Sequence, residues 1–382
     1  MSDGPAIMLV AGEASGDLHG ATLCRALRAG APGARLFGMG GARMAAAGME
    51  VLEDVTAHAA VGGTEAASGV VPLYRAYRRL RERLRGPERP HALVLIDFPE
   101  FNLRLARTAR RHGVPVVYFI PPQVWAWRGW RVRAMRRLLS LVLAVFPFEP
   151  PLYRRAGVPV QYVGHPLVDA LAHAPTRAAA RARLGLAADA CVLALLPGSR
   201  RGEIERVLPI MRDAIAAITG PRPHVRVLLA QAPSVDAVLL ARHLGPASVV
   251  TIVPDATHAV IRAADVVLAT SGTVTLETAL LGVPMVACYR VSQLSAVMIR
   301  SLTRVPWMSL VNIVLGRAVI PELFQGQLTP ARLATETERL LDDPVAGDAQ
   351  RAAFRELAGG LGEPGVGARA ARLVLDAARA AS

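Results

Sequence analysis

The chain has 382 residues, enough for two domains of ordinary size. Apolar residues make up 52% and charged residues 19%, which excludes a disordered chain. The formal charge is +14 and all 44 basic residues are Arg. With no Lys, a Schiff-base nucleophile, a Lys general base and a Walker lysine are all excluded. An anion clamp must then be Arg, backbone N–H or a helix N-terminus.

Cys24, Cys191 and Cys288 lie far apart in apolar stretches. This spacing predicts neither a disulfide framework nor a zinc site, and it fits a reducing compartment. No basic segment precedes the apolar run at residues 6–11, which is too short for a signal peptide and reads as a first strand. The longest apolar run, residues 138–148, falls well short of the ~20 residues of a spanning helix. The expectation is a protein that is soluble or sits on a membrane surface.

Strand-like and helix-like runs alternate along the chain. Residues 7–11 read as a strand, 17–28 as a helix and 35–38 as a short strand before a Gly-rich turn at 38–41. That turn does not complete GxGxxG, which weakens a dinucleotide reading. Within residues 70–89, Val70, Leu73, Tyr74, Tyr77, Leu80 and Leu84 recur at helical spacing. Residues 92–97 read as a strand, 102–112 as a helix and 115–120 as a strand. Residues 138–146 fit either element. A short strand at 160–163 ends in Gly164-His165-Pro166, and the rhythm then restarts. Strands are predicted at 191–196, 226–230, 249–253, 266–269 and 284–288, with helices at 203–218 and 275–281. The Ala/Arg-rich residues 177–183 continue a helix, and the tail is helical by propensity. Short apolar strands separated by helices predict parallel sheets covered on both faces. The expected fold class is α/β, with two Rossmann-like doubly wound domains facing a central cleft. The expected divisions are residues 1–163, 164–348 and 349–382.

Four strand–helix junctions carry groups fit for chemistry. Residues 11–17 (AGEASGD) form a small-residue turn that brings Glu13 and Ser15 to a helix N-terminus. Ser15 or Asp17 as a plain helix cap is the competing reading. Residues 96–102 (IDFPEFN) place Asp97 at a strand end, where it can take a proton from a substrate hydroxyl; the competing reading is that Asp97 or Asn102 caps the next helix. Residues 196–203 (LPGSRRGE) expose the N–H groups of Gly198 and Ser199, and Arg200 can fork onto a phosphate. Arg201 reads as a solvated charge. Residues 269–277 (ATSGTVTLE) end a strand in Ser271, Gly272 and Thr273. Glu277 follows near the first helical turn, as a ribose ligand or as an acid favoured by the helix dipole. Two phosphate-type junctions without a Walker lysine suggest a nucleoside diphosphate held as a leaving group.

These segments occur in order with residues 124–128 (VWAWR), 146–149 (FPFE), 163–166 (VGHP), Asn312 and residues 321–325 (PELFQ). The set resembles the lipid-A-disaccharide synthases, bacterial glycosyltransferases of the lipid A pathway, over nearly the whole chain. The resemblance implies a GT-B fold, with the acceptor mainly on the first domain and UDP on the second. It implies that a C-terminal helix packs back on the N-terminal domain. The implied reaction is inverting. It joins UDP-2,3-diacylglucosamine to 2,3-diacylglucosamine 1-phosphate (lipid X), giving the β-1,6-linked disaccharide 1-phosphate and UDP. Asp97 matches the family's candidate base and Arg200 its essential Arg. Gly198, Ser199, Ser271, Gly272, Thr273 and Glu277 would bind the nucleotide sugar. Glu13, Ser15, Asn312 and Gln325 would belong to the cleft in unassigned roles. No metal and no cofactor are implied. Pro121 stands where the family usually has Ser, and residues 61–73 are less apolar than is usual there.

Residues 70–89 carry seven arginines, and residues 125–137 mix three tryptophans with five. One reading is a helix on anionic lipid; the other is a surface helix packed on a sheet. The implied location is cytoplasmic, peripheral to an anionic inner-membrane surface. A homodimer is allowed and nucleic acid is not expected. The competing functions are another UDP-N-acetylglucosamine-using GT-B enzyme, a UDP-sugar epimerase and a basic RNA-binding protein.

Overall fold

The computed structural model describes residues 4–55, 66–122, 131–246, 248–293, 296 and 306–380. The first parallel sheet contains β1 (Ala6–Ala11), β2 (Arg35–Met39), β3 (Glu50–Glu53), β4 (Ala92–Ile96), β5 (Val116–Phe119), β6 (Leu141–Ala144) and β7 (Val160–Tyr162). Its strand order is β3-β2-β1-β4-β5-β6-β7. The second contains β8 (Val192–Leu196), β9 (Arg226–Gln231), β10 (Val250–Pro254), β11 (Val266–Thr270), β12 (Met285–Tyr289) and β13 (Glu322–Phe324), ordered β10-β9-β8-β11-β12-β13. Strands β4, β8 and β11 are buried at every position, as parallel strands covered by helices on both faces must be. The strand order reverses between β1 and β4, and again between β8 and β11. Each sheet therefore has a topological switch point, where ligands bind in open α/β folds.

The helices supply the covering layers through spaced apolar residues. Helix Ala66–Arg85 buries Ala76, Leu80 and Leu84, four residues apart, and helix Pro99–Arg111 buries Phe101, Leu105 and Ala109 in the same core. In the second sheet's core, helix Arg201–Thr219 buries Ile204, Leu208, Met211 and Ile215. Each such Leu or Ile is worth about 1.5–3 kcal/mol of burial. Residues 177–183 do not continue a helix: they form their own, Arg177–Arg183. Within it Arg181 is 3% exposed, donating to the Ala263, Ala187 and Ala188 carbonyls and to Asp265. The ambiguous stretch at residues 138–146 resolves into β6, just after helix Arg131–Leu138 ends.

The chain divides into two compact units, Met1–Ala170 with Gly360–Ser382, and Leu171–Gly359. Both divisions lie downstream of the expected ones at residues 163/164 and 348/349, and local bonding explains why. Residues 164–170 stay with the first unit because His165 N–H donates to the Leu361 carbonyl, and Asp169 accepts the Gly365 and Gly367 amides. Arg369 donates to the Val163 carbonyl. Helix Val366–Arg379 packs along helix Ala14–Gly30 of the same unit. Residues 349–359 stay with the second unit. The Gln350 amide brackets the Met285 backbone, Glu356 pairs with Arg317, and Phe354 and Leu357 are buried.

Candidate active site

In the first unit, β1 and β4 are adjacent and in register, Ala11 beside Ile96. The turns that follow both strands therefore meet at the sheet's carboxyl edge. The contact is direct: the Phe98 ring lies where a side chain on Gly12 would be, so only Gly fits there. This brings Glu13 and Ser15 beside the Asp97 turn. Asp17 is buried and does not cap its own helix. Its carboxylate accepts the Gly41, Arg43 and Met44 amides, fastening the N-terminus of helix Ala42–Ala46. That leaves Ser15 and Glu13, both half-buried, on the edge of the turn.

Asp97 itself has φ 48° and Phe98 φ 46°. Two successive left-handed residues without Gly store roughly 1–3 kcal/mol of strain each. The Asp97 carbonyl accepts a 2.6 Å bond from the Tyr118 hydroxyl and a 2.7 Å bond from Asn102 Nδ2. The helix that follows is preceded by Phe98, with no side-chain cap, so neither Asp97 nor Asn102 serves as its N-cap. Gly164-His165-Pro166 belongs to this unit too. The His165 ring packs against His19 and Phe146, with centroids 5.9 and 5.2 Å away. Burial first, then His19, holds its pKa well below 6.5.

In the second unit, β8 and β11 are adjacent, with Leu196 beside Ala269. Gly198–Arg200 and Ser271–Thr273 thus share one carboxyl edge. Gly198 has φ 111°, a conformation other residues rarely adopt. The Ser199 and Arg200 amides are already used, since both donate to Glu203 Oε2, whose other oxygen lies 3.5 Å from Arg200 Nη1. What Arg200 offers an anion is therefore its guanidinium, held on a carboxylate-capped turn. Arg201 pairs instead with Glu205 along the exposed helix face.

The other turn differs. Helix Thr273–Leu280 begins after Gly272 with no side-chain cap, leaving a bare, electropositive helix start. Ser271 is half-buried, with its hydroxyl donating to the Met308 carbonyl. Just beneath, Thr270 Oγ1 is buried without a hydrogen-bond partner. Glu277 lies 2.9 Å from His258 Nε2, which fixes one of its carboxylate oxygens. Among the described residues no group of three His, Cys, Asp or Glu could hold a metal ion.

Asn312 and Gln325 both bond to neighbouring segments of the chain. Asn312 is 1% exposed. Its amide donates to the Ile320 carbonyl and Glu322 and accepts the Val319 and Ile320 amides. Gln325, 8% exposed, brackets the Val291 backbone with both amide atoms. Both shape the loops around β13. Asn102, Tyr118, Glu203 and His258 are the site residues that sequence reasoning missed. Only Glu203 had a local signal: it lies three residues after the helix cap, the spacing of a capping box.

A family model described as lipid-A-disaccharide synthetase matches residues 7–358. The lipid-A-disaccharide synthase of Myxococcus xanthus (strain DK1622) is 41% identical over 377 residues, covering 98% of each chain. Among solved structures, S. aureus MnaA with UDP matches at a TM-score of 0.67 and 11% identity, covering 96% of this chain and 94% of that one. A calicheamicin glycosyltransferase matches at 0.59 and 18%, covering 99% and 98%. At such identities the solved structures establish the fold alone, two parallel-sheet domains of GT-B type. The sequence match separates the epimerase and other glycosyltransferase readings from the leading one, and it spans both sets of turns described above. The chain belongs to the lipid-A-disaccharide synthetase family.

Proposed function

We propose that this enzyme of lipid A disaccharide synthesis uses the two switch-point turns as its working parts, Asp97 in the first unit and Arg200 in the second. The acceptor is lipid X and the donor UDP-2,3-diacylglucosamine. The acceptor's 6-hydroxyl oxygen attacks the donor's anomeric carbon, and Asp97 takes the hydroxyl proton. The bond from that carbon to the diphosphate oxygen breaks, and its electron pair leaves with UDP. One displacement inverts the anomeric centre and gives the β-1,6-linked disaccharide 1-phosphate. A sugar hydroxyl is a weak acid, so a positioned base contributes about 10²–10⁴-fold.

Arg200 meets the charge that grows on the departing diphosphate, where a fixed cation acts more strongly on the transition state than on the substrate. Gly272 and Thr273 offer their amides at the uncapped helix start. Gly198 allows the backbone to come close, and Ser199 contributes its hydroxyl. Glu277, oriented by His258, takes the ribose hydroxyls. Ser15 and Glu13 line the acceptor side next to Asp97. The single observation behind this assignment is that each set of candidate groups falls on the switch point of its own sheet.

Both substrates carry two acyl chains, so the enzyme works at a cytoplasmic inner-membrane surface. Two features of the first unit support this. Helix Ala66–Arg85 exposes Val71 and Tyr74 on the face opposite its buried Leu80. A cavity of about 530 Å³ is lined, among the described residues, by Arg133, Arg136, Arg137, Arg155 and Ala156. No helix among the described residues is long and apolar enough to cross a membrane.

The test is incubation with both substrates in detergent and mass spectrometry of the products. The tetraacyl disaccharide 1-phosphate and UDP should appear in equal amounts. Asp97→Asn should lower kcat by ~10²-fold or more while UDP affinity is unchanged. Half-activity in that variant would remove Asp97 from the base role.

A further inference from the structure

We propose that Tyr118 and Asn102 are positioning residues that hold Asp97 in its left-handed conformation and so fix the direction of its carboxylate. The inference rests on the reading of Asp97 as the base. A left-handed Asp followed by a left-handed Phe does not persist unless its surroundings over-determine it. Here two donors on different elements converge on one carbonyl oxygen. Tyr118 comes from β5, beside β4, with its residue in register with Leu95. Asn102 comes from the first turn of helix Pro99–Arg111. Both are wholly buried, so water does not compete for the bonds. Turning the Asp97 peptide away would break both of these bonds inside the core, which opposes the turn's relaxation.

Asn102 shows which of its two ends matters. Nδ2 reaches the Asp97 carbonyl at 2.7 Å and the Ile96 carbonyl at 3.3 Å, while buried Oδ1 has no partner. An amide flip would press Oδ1 against two carbonyl oxygens. The residue thus keeps an unsatisfied acceptor while its donor is placed on the Asp97 turn. Packing alone gives no reason for an amide at this position. Phe98, the second strained residue, is held from the other side by its seat over Gly12 and by stacking on Phe101, with ring centroids 5.5 Å apart.

The test is a double-mutant cycle on the full chain, with both substrates dispersed in detergent. Tyr118→Phe should lower kcat by ~10-fold, since small misplacement of a reacting group costs rates of this order. KM for both substrates and UDP affinity should stay within about twofold. In an Asp97→Asn background the same change should lower the residual rate less than about twofold, because nothing remains to be positioned. Asn102→Leu removes the donor and the orphaned acceptor together. Its thermal midpoint should hold or rise while kcat falls by ~10-fold, a divergence that a purely structural role does not produce. Unchanged kcat in both single variants would overturn the proposal. So would an equal loss from Tyr118→Phe with and without Asp97. If Asp97→Asn itself retains half its activity, the base reading fails and the inference goes with it. If Asp97→Asn is inactive but both positioning variants are fully active, the inference alone fails.

Discussion

Two neighbouring arginines have the same charge and opposite environments. Arg200 is tied to the turn through Glu203, whose carboxylate also fixes the Ser199 and Arg200 amides. Arg201 pairs with Glu205 instead, and its side chain is 67% exposed. Arg200→Lys should therefore lose ~10²-fold in kcat, because an ammonium cannot bridge Glu203 and a diphosphate as a planar fork does. Arg201→Lys should change kcat by less than about twofold, since exposed pairs contribute little. Equal behaviour of the two in a steady-state assay would move the role away from Arg200. A second residue-level consequence concerns pH. Burial and His19 keep the His165 pKa well below its ordinary 6.5, so His165 stays neutral in the folded chain while the unfolded chain takes up a proton. Below about pH 6.5 the unfolded state binds the extra proton, and stability must fall as pH drops through that range. The urea midpoint should decline from pH 7 to 5, and the decline should be shallower in His165→Gln. An identical slope in that variant would place the titration elsewhere.

The strand–turn–helix junction is the repeated working element, and its glycine is where it can be tested. At Gly198 a side chain would need φ 111° and would meet the Glu203 carboxylate. Gly198→Ala should cost roughly 1–3 kcal/mol of stability and weaken UDP binding together. Gly245, with φ 80° and open space around it, closes a helix end away from these turns. Gly245→Ala should cost stability alone. A urea melt and a UDP titration on both variants check the contrast, and unchanged UDP affinity in Gly198→Ala would remove this turn from the nucleotide site. At this scale most of the architecture was legible. The apolar runs of β4, β8 and residues 266–269 of β11 mark themselves as buried parallel strands, and the glycines and hydroxyls after β8 and β11 mark their turns. Strands β3 and β13 were not legible, being short and carrying Glu50, Glu53 and Glu322. Nor were the partners of the site residues. Tyr118 reaches Asp97 through strand pairing, and His258 reaches Glu277 from another helix, so neither spacing exists along the chain. The backbone partners of Asn312 and Gln325 were equally out of reach, since nothing along the chain marks which loop segment an amide will bracket.

The whole molecule carries +14, but what a membrane feels depends on which arginines are already neutralised. On helix Ala66–Arg85, Arg79 pairs with Glu53 and donates to the Leu52 carbonyl, and Arg83 pairs with Glu88. Arg79 thereby ties the helix to β3, while the Arg83 contact is a 3.7 Å exposed one. Arg75, Arg81 and Arg85 make no ion pair among the described residues, and Arg78 makes only a 3.7 Å exposed contact with Glu82. At 100° per residue, Val71, Tyr74, Arg78, Arg81 and Arg85 fall on one stripe, opposite the buried Ala76, Leu80 and Leu84. That stripe joins exposed apolar groups to unneutralised charge, the composition of a surface-binding helix. Each such Arg is worth ~1 kcal/mol near an anionic surface and is screened by salt. The protein should therefore sediment with vesicles containing anionic lipid at low salt and leave them at high salt. Replacing Arg75, Arg78, Arg81 and Arg85 with Gln should weaken that binding by at least ~10²-fold while sparing turnover on detergent-dispersed substrate. Replacing Arg79 and Arg83 should lower the thermal midpoint more than it weakens vesicle binding, because Arg79 bonds Glu53 and the Leu52 carbonyl of β3. If both sets release the vesicles equally, total charge rather than this stripe governs the attraction. If neither does, the arginine cavity at Arg133, Arg136, Arg137 and Arg155 becomes the surface to alter next, by the same salt-dependent sedimentation.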